Sequence, residues 1–370
     1  MEYSNKDPFL KRTELFIKKM LKRLFIKNIK PIAINSAQNI FKGKVKKILL
    51  LRQDRIGDLL VSVPTIKLLR KYNPYIQIDI LLSKKNVAAI SSVIDYIDDY
   101  FVYDKKIFAT LKLIKKLRWK KYDLLIDMYD NVSTTSNFFI KFSNAKDSLG
   151  FQKAEDYHCT YLVPLPSKKE VHIVDRVAQL LLTFGIESSR EKLELDYRID
   201  NNAFVEAKKQ LGEKTSKIRL GINLSGSSKS KFWGLDNYIL FINELNKYYE
   251  HIEVILFSTG DYQSETNLII ANTTSKAAPL VETFNEYAAM ISTCSIIVTP
   301  DTAAVHLASA FKIPCICLFQ VLPANHDDYM LPWTPYKIPF KALTTTGRLN
   351  EIKVSDVIDA FKEITKIFPY

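Results

Sequence analysis

The chain has 370 residues, 47% of them apolar and 25% charged. That balance fits a folded globular protein long enough for two domains and excludes a disordered chain. The net charge of +13 points toward nucleic acid, yet residues 1–47 carry +10 of it and the rest of the chain only +3. A nearly neutral body without a basic groove argues against nucleic acid as a partner.

From the amino end, residues 9–30 read as a helix. Phe9, Phe16, Met20 and Leu24 fall on one side, and Lys11, Lys18, Lys22 and Arg23 on the other. A basic amphipathic helix suits an anionic membrane surface, where each basic side chain adds about 1 kcal/mol. The alternative is a helix that packs its apolar face on its own protein. No apolar run is long enough to span a bilayer, and lysines interrupt the place where a signal peptide's apolar core would stand. The expectation is a cytoplasmic protein. Cys159, Cys294, Cys315 and Cys317 lack zinc or redox spacing, with Cys315 and Cys317 expected on opposite sides of a strand, so all four read as structural.

After this arm, strands and helices alternate. Strands are expected at 46–51, 76–82, Asp99–Tyr103 and 122–128. Helices are expected at 59–71, 105–119 (strongly basic), 131–142 and 171–184. The charged stretch 185–215 breaks the pattern and marks an inter-domain region. The alternation then restarts, with strands at 218–224, 253–257, 295–298 and 315–319. Its helices are Leu235–Tyr248, Gln263–Ala271, 283–292, 303–310 and 354–368. This pattern predicts an α/β protein of parallel sheets with right-handed crossovers. The division is an arm (1–45), two domains facing across a cleft (46–200 and 201–350) and a terminal helix (351–370).

Two strand–turn–helix junctions carry the chemistry. In the first, an apolar strand runs into Arg52-Gln53-Asp54-Arg55, bends at Gly57 and starts a helix at Asp58. In the second, Thr299-Pro300-Asp301-Thr302 leads into a helix bearing His306. Ligands of open α/β sheets bind at such carboxyl ends of strands. A carboxylate there takes a proton from a hydroxyl within hydrogen-bond reach, or it only caps the helix. The helix start at Asp301 and Thr302 offers free N–H groups to a phosphate. Lys231, after the small run Ser225-Gly226-Ser227-Ser228, opposes the charge of a departing diphosphate or is a solvated loop lysine. His306 is either a site residue or a buried core histidine. Trp233 reads as a packing anchor.

Four blocks in order resemble glycosyltransferase family 9, the bacterial lipopolysaccharide heptosyltransferases. They are Arg52 to Leu60 followed by Pro64, Tyr122 to Asp127, Asn223 to Trp233, and Asp301 to Ala310 followed by Pro314. The resemblance covers roughly residues 46–335 and implies the GT-B fold, two Rossmann-like domains whose parallel sheets face each other across a cleft. It implies inversion without a metal, no cofactor, and ADP-heptose as the donor. By resemblance, Asp58 is the base, and Lys231, Ser227, Asp301, Thr302, Ala303 and His306 hold the donor. Glu265 reaches the ribose, a task Asp261 or Gln263 fills equally well. Arg52 and Arg55, beside Asp58, suit an anionic acceptor. The acceptor is a lipid-anchored saccharide, and residues 9–30 keep the protein peripheral on the inner face of the inner membrane. Two departures stand out: Ala303 replaces the family's glycine, and Gln320 follows Phe319 where the family has glycine. They keep open a different nucleotide sugar, or a degenerate binding subunit. The loop 323–328, with one His and two adjacent Asp, reads as polar surface rather than a metal site.

Overall fold

The computed structural model describes residues 30–153, 159–212, 218–226, 228–321 and 331–367. The helix expected at 9–30 lies outside the described residues except for Lys30, as do Ser227 and the loop 323–328.

The first half begins with β1 (Ile32–Ala33) and β2 (Lys47–Leu51). Ile48, Leu49, Leu50 and Leu51 are buried, as expected of a strand covered on both faces. Next come α1 (Ile56–Tyr72), β3 (Gln77–Ser83), β4 (Asp99–Tyr103) and α2 (Ile107–Lys120). Then follow β5 (Leu124–Asp127), α3 (Thr134–Phe142), β6 (Asp147–Phe151), β7 (Tyr161–Val163) and α4 (Ile173–Val177). The seven strands form one parallel sheet in the order β1-β7-β6-β5-β2-β3-β4.

The second half contains α5 (Asn201–Leu211), β8 (Ile218–Asn223), α6 (Leu235–Tyr248) and β9 (Ile252–Phe257). It continues with α7 (Gln263–Ala271), β10 (Lys276–Ala277), α8 (Phe284–Ser292) and β11 (Ile296–Pro300). It ends with α9 (Ala303–Phe311), β12 (Cys315–Gln320), β13 (Phe340–Thr345) and α10 (Val354–Ile367). Its parallel sheet has the order β10-β9-β8-β11-β12-β13. In each sheet the chain runs outward from a central strand, then returns and runs the other way. The reversal falls between β2 and β5 in one sheet and between β8 and β11 in the other. Open α/β sheets bind their ligands at that reversal.

The halves share apolar packing. One core cluster runs from Ile48, Leu50 and Ile66 to Val305, Leu307 and Phe319. Helix α1 is buried along most of its length because it packs on the turn Val87–Ser92, on α4 and, from the other half, on α9. That enclosure holds Pro64 inside a helix whose local ladder has lost one N–H donor. A separate cluster joins Trp233, Phe241 and Phe361, so the terminal helix α10 belongs to the second half's core.

Three expectations change. The helix expected at 171–184 ends as an α-helix at Val177 and tightens to a 3-10 stretch, Ala178–Thr183, before Gly185 turns at φ +74. The irregular stretch 185–215 contains α5, which packs on α8. Cys315 and Cys317 lie on the same side of β12, their sulfurs 3.4 Å apart, because residues i and i+2 of a strand share a face. None of the four cysteines forms a disulfide. Among the described residues, no helix is long and apolar enough to cross a membrane.

Candidate active site

Arg52 closes β2 and is 1% exposed. Its Nε donates to the Asp58 carbonyl at 2.8 Å and its Nη1 to the Met128 carbonyl at 2.8 Å. Nη1 also pairs with Asp54 at 3.1 Å, and the guanidinium lies 5.8 Å from the Tyr129 ring centre. It therefore clamps the turn after β2 to the end of β5, and the guanidinium expected to meet the acceptor is engaged internally. Arg55, by contrast, is exposed.

Asp58 is the third residue of α1. Its Oδ2 accepts the Arg55 N–H at 3.1 Å, and its Oδ1 lies 3.8 Å from Arg52 Nη2. The carboxylate stays 16% exposed. One oxygen thus fastens the helix start, and the side chain remains reachable from solvent. The capping contact does not bury the carboxylate.

Beside it stand groups to which the sequence gave no task. Burial pushes the Asp54 carboxyl up to about 7, against the pull of Arg52, and its Oδ1 is buried with no hydrogen-bond partner among the described residues. Asp127, wholly buried at the end of β5, pairs with Lys153 at 3.0 Å. Asp130 pairs with Arg176 at 3.0 Å, and Arg176 also donates to the Pro166 carbonyl at 2.9 Å. The signal was present: Asp127 closes a strand and Asp130 follows it, the carboxyl-end position that also singled out Asp58.

Across the cleft, Lys231 Nζ donates to the Asp301 carbonyl at 2.6 Å and to its Oδ2 at 2.7 Å. Gly226 makes this possible, because a Cβ there would sit 2.5 Å from the Lys231 Cβ. Thr302 caps α9, its hydroxyl accepting the Ala304 N–H at 3.2 Å. Asn223 at the end of β8 donates to the hydroxyls of Thr299 (3.0 Å) and Thr302 (3.1 Å). Ser225 Oγ accepts the Thr259 N–H at 2.8 Å. These bonds lace together the ends of β8, β9 and β11. Ala303 is half-buried at the first position of α9, and Glu265 is half-buried in the first turn of α7, behind the end of β9. Trp233 is fully buried and donates to the Ile352 carbonyl at 2.9 Å, a packing anchor.

The two junctions meet through His306. It is 3% exposed, and a Cβ on Gly57 would lie 3.1 Å from its Cδ2. A side chain at Gly57 would therefore press on the His306 ring, and glycine lets the first turn of α1 pack closely on α9. Burial lowers the His306 ring to about 4, with His172 lowering it further and Asp301 opposing the shift. Its Nδ1 is buried without a hydrogen-bond partner among the described residues, and Trp333 stands edge-on at 6.3 Å between ring centres. Nearby, His172 Nδ1 accepts the Val174 N–H at 3.2 Å, so Nε2 carries the proton donated to the Thr334 carbonyl at 2.8 Å. Tyr336 donates to Asp175 at 2.8 Å. Among the described residues, no three His, Cys, Asp or Glu side chains converge as a metal-binding group.

Comparison with known proteins places this arrangement. The family model "Glycosyltransferase family 9 (heptosyltransferase)" matches residues 110–345. Lipopolysaccharide heptosyltransferase 3 of Escherichia coli is 24% identical over 338 residues, 85% of this chain and 93% of that protein. The glycosyl transferase family 9 structure from Veillonella parvula DSM 2008 superposes with a TM-score of 0.74 at 18% identity, covering 86% of this chain and 97% of that one. E. coli heptosyltransferase WaaC, solved with ADP-2-deoxy-2-fluoro heptose, gives 0.65 at 15% identity, over 86% of this chain and 99% of that one. Both solved structures share the two-domain GT-B fold with this chain. The chain is a glycosyltransferase and belongs to glycosyltransferase family 9, the heptosyltransferase family.

Proposed function

We propose that the chain transfers heptose from ADP-heptose to a saccharide of the lipopolysaccharide core, inverting the anomeric carbon in one displacement without a metal. The acceptor oxygen bonds to the anomeric carbon, the bond from that carbon to the diphosphate oxygen breaks, and ADP leaves. Asp58 takes the acceptor proton. Lys231 and the amino end of α9, from Thr302 to Ala304, oppose the charge that grows on the diphosphate. Glu265, in the first turn of α7, reaches the ribose of the donor. Arg55 is the exposed guanidinium for an anionic acceptor. Closure of the two halves excludes water from the donor.

The observation that carries this reading is the direct contact of the two junctions, Gly57 on His306. It brings a reachable carboxylate to the same end of the cleft as the cation–helix-start pair. The names of the relatives, heptosyltransferases in E. coli, support the donor and acceptor class.

Calorimetry with ADP-heptose, ADP, UDP-sugars and GDP-sugars tests the donor. Selective binding of the adenine nucleotides, weakened tenfold or more by Lys231→Ala (on the order of 1.4 kcal/mol), is the expected result. Selective binding of another nucleotide overturns the donor assignment, and Ala303 at the start of α9 is the observation that favours that second reading. The product's anomeric configuration by NMR tests inversion. Undiminished turnover in chelator tests metal independence. Residues 9–30 are the proposed inner-membrane contact of a peripheral cytoplasmic protein. Deleting 1–29, which stops short of β1, then weakens membrane binding while activity on a soluble acceptor persists.

A further inference from the structure

Helix α2 presents an exposed face that the reaction leaves unexplained. Ile114 and Leu117 seat the helix on its sheet. On the outer side Phe108 and Trp119 are each 80% exposed and Leu111 is 59% exposed. At 100° per residue these three fall within about 80° of one another, with Lys115 among them. The opening residue Ile107 is also exposed. The stretch 105–121 holds eight Lys or Arg and no Asp or Glu. Among the described residues only Lys120 of this stretch has ion-pair partners, Asp99 and Asp79. Lys116 is drawn onto the Phe101 ring, 4.7 Å from its centre.

We propose that this face of α2 is a docking surface for an anionic lipid bilayer. Clustered large apolar side chains on a folded surface mark a contact site. Aromatic and aliphatic groups rimmed by lysines are the pattern of a helix lying in the interfacial plane, with tryptophan at headgroup depth. Charge selects the occupant. A second copy would bring the same basic face against itself. Residues 1–29 also carry excess positive charge, eight Lys or Arg against three Asp or Glu, so that segment is repelled as well. An anionic headgroup layer answers both the charge and the apolar tips.

The orientation suits the site. Helix α2 begins just past the carboxyl end of β4, in the sheet whose carboxyl ends carry Asp58. The first turn of α2, with Ile107 and Phe108, is therefore at the end of the sheet that carries Asp58. That this serves a lipid-anchored acceptor rests on the proposed function; the surface itself does not.

The test uses the full chain and vesicles without any saccharide, so it fails or succeeds independently of the donor and acceptor assignments. Phosphatidylglycerol-rich vesicles are compared with phosphatidylcholine vesicles in co-sedimentation, and brominated lipids quench tryptophan by depth. Trp233 is buried and Trp333 half-buried, so the difference between wild type and Trp119→Phe isolates the signal of Trp119. Expected are binding to the anionic vesicles alone, bromine quenching lost in Trp119→Phe, and partition lowered about tenfold or more by Phe108→Ser with Trp119→Ser. Unchanged melting and ADP binding show that the variant is folded. Vesicle binding that leaves Trp119 unquenched and the double variant unaffected overturns the proposal, as does an absence of vesicle binding. Self-association abolished by the same substitutions also overturns it, because the occupant is then a second copy.

Discussion

Asp58 and Asp54 stand four residues apart, yet burial gives them different tasks. Asp58 keeps a reachable carboxylate, and Asn at that position preserves the oxygen that accepts the Arg55 N–H. Asp58→Asn is therefore expected to lower kcat by about 10²- to 10⁴-fold, the usual worth of a general base, with donor affinity and melting temperature close to wild type. An equal loss in donor binding, read by calorimetry, would sink the base assignment. Asp54 shares Arg52 with Asp58 and titrates near neutrality because burial raises its carboxyl to about 7. Its folded value lies above its unfolded one, so its contribution to stability is full below about pH 4 and is lost as pH rises toward 7. Ionised Asp54 also competes with Asp58 for the same guanidinium. Asp54→Asn is expected to remove one ionisation near pH 7 from the kcat/KM profile and to flatten the stability curve between pH 4 and 7. A profile identical to wild type would show that Asp54 does not reach the base.

At the scale of the element, the contact between the turn of α1 and helix α9 depends on a missing side chain. Gly57→Ala places a methyl 3.1 Å from His306 Cδ2, and overpacking of this kind costs about 1–3 kcal/mol. Because Gly57 precedes Asp58, the same shift should lower kcat more than donor affinity. His306→Ala opens the space, so the double variant should recover part of the loss, and a double-mutant cycle measures that coupling. Strictly additive losses would mean that the methyl acts elsewhere. The sequence made much of this legible. Buried strands such as 48–51 announce themselves by unbroken apolar runs, and Leu235–Tyr248 and Gln263–Ala271 follow helical periodicity to the residue. Strands β1 and β10 have two residues each, too few to show any period, and β13 is a half-exposed edge. Helix α5 was hidden by its charge, since only Ala207 is buried. At the site, the strand–turn–helix junctions marked the neighbourhoods of Asp58 and Asp301, while the roles given to Asp58, Lys231 and Asp301 came from the family resemblance. Which of Arg52 and Arg55 is buried, and that His306 lies against Gly57, depend on tertiary packing between segments some 250 residues apart.

For the whole molecule, the halves are joined by neutral groups that acid would charge. His306 faces His172 and Asp301, with Trp333 and the Gly57 turn packed on it. His172 in turn faces Thr334, Asp175 and Tyr336. Burial lowers both imidazoles, His306 from 6.5 to about 4. With its folded value below the unfolded one, neutral His306 contributes stability that is full above pH 6.5 and is lost as pH falls toward 4. At about 1.4 kcal/mol per unit, that loss is on the order of 3 kcal/mol. His172 adds to it in the same direction. These two imidazoles lie between the halves, so opening of the cleft should precede unfolding of the domains. Small-angle scattering on descending from pH 7 to 4.5 is expected to report a larger radius of gyration before far-UV circular dichroism changes. On the proposed donor site at Lys231 and the start of α9, bound ADP should delay the expansion. His306→Gln, which cannot acquire charge, should shift the expansion to lower pH. If expansion and loss of secondary structure coincide in wild type and variant alike, the interface is not the weak point, and the carboxylates within the sheets govern acid stability instead.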